Sequence, residues 1–81
     1  MYTEAIDQYT SGLKIAEQHR QDSIQIILKN RIGHIYLSLK NYDKAELFLV
    51  ESIEGAQKHQ FLKAEAVAEE ILGTCFEKES N

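Results

Sequence analysis

Apolar side chains recur along this chain at intervals of three and four residues, the spacing that lays them on one face of an α-helix. The clearest stripe holds Ile24, Ile27, Leu28, Ile32, Ile35, Tyr36 and Leu39. Gly33 lies inside it, where a glycine costs roughly 1 kcal/mol against alanine. Close approach by a second helix, with no room for a β-carbon, accounts for that cost. The pattern breaks at Leu39-Lys40-Asn41, and asparagine suits the left-handed conformation that ends helices. A second stripe then runs through Tyr42, Ala45, Leu49, Ser52, Ile53 and Ala56, with small Ala45 and Ser52 placed to pack against Gly33. A turn of two or three residues between such helices makes them antiparallel neighbours.

The same pattern is written twice. Tyr2 matches Tyr42, Ala5 matches Ala45, Tyr9 matches Leu49, Gly12 matches Ser52 and His19 matches His59, each forty positions apart. In the other phase Ile32 matches Leu72, Gly33 matches Gly73, Ile35 matches Cys75 and Tyr36 matches Phe76. A repeat of this kind means stacked supersecondary units. Four helices are expected: about Thr3 to His19, Asp22 or Ser23 to Leu39, Tyr42 to His59, and Leu62 to Lys78. Thr3, Asp22 or Ser23, and Asn41 are the candidate N-terminal caps. The two glycines, 33 and 73, are read as two crossing notches.

Composition narrows the classes. Eighty-one residues make one thin-cored unit, 1–81. The chain has no proline, which suits unbroken helices. No apolar run approaches a membrane span, no signal peptide opens the chain, and the single Cys75 has no internal partner, so a reducing cytoplasm is the expected setting. The net charge of −4 is unevenly placed, with residues 1–40 at +1 and residues 41–81 at −5. An acidic half without a basic patch argues against direct nucleic-acid contact.

The carrying residues Ile32, Gly33, Tyr36, Tyr42, Ala45, Leu49, Ser52 and Ile53 form a pattern that resembles the tetratricopeptide repeat. The repeat's usual closing proline falls at Gln57 and its mid-turn glycine at Lys40. Units of forty residues look like those of the peptide-sensing transcription regulators and aspartate phosphatases of Gram-positive bacteria. The resemblance implies an all-α fold of four antiparallel helices, about two hairpins of a right-handed solenoid. It implies a fragment of a longer array whose open ends, carrying Tyr2, Tyr9, Leu72 and Phe76, promote self-association. It also implies protein or peptide binding on the concave face, as in a quorum-sensing regulator. The alternatives are an oligomerising structural module, or part of a response-regulator phosphatase whose catalytic element lies elsewhere.

Candidate binding residues follow from the inner face. Asn30, Arg31, His34 and Ser38 lie at spacings of one, four and eight on the second helix, and Glu70 and Thr74 occupy the equivalent positions of Asn30 and His34 on the fourth. Asn30 leads, because asparagine is a poor helix former in mid-helix, and its amide can hold a peptide backbone by donating and accepting together; Arg31 could pair with a carboxylate or phosphate. A solvated polar helix face accounts for the same residues without any ligand. The resemblance to carboxylate-clamp repeats fails at Asn30 and His34, where lysine and asparagine would be required. His19 and His59 fit separate helix ends better than a shared metal. Cys75, standing where Ile35 stands one repeat earlier, reads as a small core residue. No nucleophile and base can be assembled, and no metal or cofactor is expected.

Overall fold

Residues 1–80 are described by a computed structural model, which places them in four helices: α1 (Tyr2–Gln18), α2 (Asp22–Ser38), α3 (Tyr42–His59) and α4 (Leu62–Ser80). Asn81, the last residue of the expected 1–81 unit, lies outside the described residues. There is no strand among them, and none of their helices is long and apolar enough to cross a membrane. The ends of the expected helices hold to within two residues.

All three turns are built alike. Arg20, Lys40 and Gln60 have φ of 53°, 62° and 60°, the left-handed region that favours glycine. Behind each, an N–H reaches back five residues: Gln21 to the Ala16 carbonyl at 2.9 Å, Asn41 to Tyr36 at 2.9 Å and Phe61 to Ala56 at 2.8 Å. These bonds satisfy carbonyls that a helix end leaves orphaned. The left-handed residue expected at Asn41 is therefore Lys40, the position where the resembled repeat carries glycine. Asn41 instead caps α3, its Oδ1 accepting from the Lys44 N–H at 3.4 Å. The caps expected at Thr3 and at Asp22 or Ser23 are displaced by one or two residues to Met1 and Gln21, neither of which makes a side-chain cap bond.

α2 is the centre of the packing, meeting α1, α3 and α4, whereas α1 meets α2 alone. A molecule of 39 × 29 × 16 Å has room for two layers of helices at the usual 8–10 Å spacing and no third. α2 and α4 are neighbours in this arrangement, so one face of that pair remains open to solvent. One cluster of the buried core joins Leu37, Ala45, Leu49, Ala68 and Cys75, with Tyr36, Tyr42, Ile53, Ile71 and Leu72 packed against it; Leu13, Ala16, Ile26, Ile32 and Ala56 are buried as well. Cys75 has the core role expected of it; burial pushes its thiol pKa up, with Glu46, Glu79 and Asp43 adding to the shift.

Gly33 behaves as the pattern required. A β-carbon there would stand 2.7 Å from Leu49 Cγ and 3.4 Å from the Ala45 carbonyl oxygen, so α3 sits directly on the glycine. Gly73 does not: nothing lies within 4 Å of its β-carbon position, because the described residues supply no helix on that side of α4. The stripe read for α2 also needs correction. Ile32 of that stripe is fully buried, but Ile24, Ile27 and Leu39 are exposed, and the other buried positions are Ile26, Asn30, Gly33 and Leu37. Three neighbouring helices close over α2 from more than one side, and a polar residue sits in the middle of the row that faces α3.

Candidate functional site

The open face of α2 and α4 carries two cavities. The larger, of about 660 Å³, lies between the first half of α2 and the α3–α4 turn. Its apolar lining comes from Ile27, Phe61, Leu62, Ala64 and Val67, and its polar lining from Ser23, Asn30, Arg31, Gln60 and Lys63. The smaller, of about 440 Å³, lies toward the other end of the same helices and is lined by His34, Leu37, Ser38, Lys40, Tyr42, Thr74 and Lys78.

Asn30 is placed here by its position in the buried row of α2, and it is only 7% exposed. Its Nδ2 donates to the Ala64 carbonyl of α4 at 3.2 Å, and its Oδ1 accepts from the Ser52 hydroxyl of α3. That hydroxyl also lies 3.3 Å from the Ile26 carbonyl. The amide thus fastens three helices together. It borders the larger cavity with both ends already engaged, which is a structural duty the expected peptide contact did not include. Burying such a group is tolerable only because it is satisfied.

Arg31 is exposed at the same cavity, its guanidinium carbon 5.9 Å from the Tyr9 ring centroid, a cation–π approach at the outer limit of useful range. Ser38 and Thr74 line the smaller cavity, but each hydroxyl donates to its own helix one turn back, to the His34 and Glu70 carbonyls, both at 3.2 Å. They remain free to accept. Glu70 lines neither cavity. Five of the six candidates are therefore gathered on one face, in two groups, and the sixth stands apart.

Ile27 and Leu37 border the candidate residues in the sequence pattern, but the other apolar lining residues, Val67 among them, were not foreseen. Ile27 and Val67 are forty apart, and both are large, apolar and nearly half exposed. Two equivalent apolar residues left in solvent on neighbouring helices were the available signal. Phe61, Leu62 and Lys63 come from a turn and the start of a helix, where periodicity carries no information.

Acidic chemistry lies elsewhere. Carboxylate oxygens of Asp43, Glu46 and Glu79 come within 4.8 Å of one another, the one grouping among the described residues that could hold a cation. Glu46 is half-buried, and its Oε1 is shut off from solvent without a donor. The Glu79 carboxyl against it, then burial, then the charges of Glu79 and Asp43 raise its pKa above the ordinary 4.5. Protonation of Glu46 would relieve the repulsion between these carboxylates, which is the direction of its shift. His59 is held by Asp22 at 3.4 Å and stacks on Phe61 at 5.6 Å between centroids.

No family model matches the chain, and neither the curated proteins nor the solved structures give a match.

Proposed function

We propose that the chain is a binding module of the tetratricopeptide type, its antiparallel hairpins forming part of a right-handed solenoid that holds a protein or peptide segment along α2 and α4. One observation carries the reading. The cavity of about 660 Å³ has the size and character of a ligand site, apolar with a few convergent polar groups. The forty-residue register supports it, since the helices that flank the groove are the two copies of one repeat position. The resemblance extends the proposal to the sensing portion of a cytoplasmic, quorum-type transcription regulator. Capture of a peptide would then favour one pitch of the array and reposition an effector domain.

The test fills the cavity. Val67 is 48% exposed, so Val67→Trp can occupy the groove without disturbing the core, which circular dichroism would verify. A displayed library of random decapeptides is panned on both proteins. Sequences enriched on the wild type and lost on the variant support the proposal. Equal enrichment on both, or none on either, rejects it.

A second reading, self-association, draws on Tyr2, Ile15 and Phe76, each at least half exposed. A single monomeric mass by light scattering at tens of micromolar would remove it.

A further inference from the structure

The charges of this protein are sorted, and the groove holds one sign of them. Arg31 and Lys63 line the larger cavity, and Lys40 and Lys78 line the smaller, together with His34. Those four are drawn from nine Lys and Arg in the whole chain, yet none of the thirteen Asp and Glu lines either cavity. The net charge is −4, so an unsorted surface would have put acids there. Five of the thirteen acids are engaged elsewhere: Glu51 pairs with Lys29 at 3.3 Å, Asp22 pairs with His59, and Asp43, Glu46 and Glu79 crowd together. None of the four groove cations lies within 4.0 Å of a carboxylate among the described residues.

From this we infer that the groove takes an acidic peptide in extended form, with a bulky apolar side chain seated among Ile27, Phe61, Leu62 and Val67 and carboxylates beside the four cations. The inference rests on the binding reading above and names the chemistry of its ligand. Length follows from geometry. Lys63 and Lys78 are fifteen residues apart on α4, which is about 22 Å at 1.5 Å per residue. An extended chain covers that distance in about seven residues at 3.3 Å each. A peptide is favoured over a nucleic acid because the larger cavity is walled by aliphatic side chains and one phenyl ring, suited to a side chain with no charge. Unpaired cations beside an apolar seat attract a carboxylate without any desolvated acid opposing it.

The decapeptides enriched on the wild type supply the probe. They are expected to carry net negative charge, with Asp or Glu on both sides of a Leu, Ile, Met or Phe. A fluorescein-labelled consensus peptide is then compared with its Asn/Gln counterpart by anisotropy in low salt. The counterpart should bind about tenfold more weakly, the effect of two or so partly exposed charge contacts, and the gap should narrow as salt is raised. Arg31→Glu with Lys63→Glu should abolish the preference for the acidic form, and Lys29→Glu, which lines neither cavity, should not. Enriched peptides that are neutral or basic, or equal binding of both forms, overturn the inference while leaving the groove as a peptide site. Equal competition by a single-stranded 20-mer oligonucleotide overturns it in favour of a general polyanion site. Absence of any enriched peptide removes the groove reading itself.

Discussion

Two glycines forty residues apart have opposite surroundings, and a methyl group tells them apart. At Gly33 an added β-carbon meets Leu49, which is itself fully buried. Overpacking of about 1–3 kcal/mol outweighs the helix-propensity gain of up to about 1 kcal/mol. Gly33→Ala is therefore expected to lower stability by about 1–2 kcal/mol in urea denaturation. At Gly73 only the propensity term operates, so Gly73→Ala should raise stability by up to about 1 kcal/mol, or roughly 4–8 °C in melting temperature. The reverse order would mean that α4 has a partner over its glycine. Gly33 was legible in the sequence because a glycine inside an apolar stripe weakens its own helix unless a neighbour needs the space. Gly73 shares the residue and the register but not the neighbour, and a neighbour is a property of the assembled molecule. The left-handed residues were hidden for a related reason: Arg20, Lys40 and Gln60 have little intrinsic preference for that conformation, and the tail bonds behind them impose it.

Among the elements, α1 and α3 were read accurately and α2 less so. α3 shows water one side, so its buried Ala45, Leu49, Ser52 and Ala56 follow helical spacing cleanly. α2 is covered from more than one side and buries Asn30 among its apolar residues, so the periodic signal, right at Ile32 and Gly33, also took in the exposed Ile24, Ile27 and Leu39. The meeting of α3 and α4 holds a pH-sensitive element. The folded protein keeps the Glu46 proton to higher pH than the unfolded chain does, because its carboxyl pKa is raised above 4.5. Its contribution is therefore fully present below that value and is lost as pH rises through the raised one. Glu46→Gln cannot ionise. The variant should melt above the wild type at pH 7, with the two converging as pH falls toward about 4. A gap that is constant across this range would show that Glu46 does not titrate differently on folding.

For the whole molecule, the number of helices and their lengths were legible in the sequence. The charge sorting along the groove was not, because linear balance placed the acids in the second half while folding turned Lys63 and Lys78 toward the cavities from that same half. Nor was the way the layers are tied. Stacked repeats lose stability roughly one neighbour at a time. Here the Asn30 side chain reaches past the next helix in the chain to the backbone of α4. Dislodging α4 exchanges that bond for one to water, at a net cost of about 0.5–1.5 kcal/mol. Amide exchange should accordingly show α2, α3 and α4 opening together, with α1, which meets α2 alone, exchanging earlier. With one carboxamide bonded to both neighbours, the three rods are expected to open as a block, and in Asn30→Ala α4 should exchange ahead of α2 and α3.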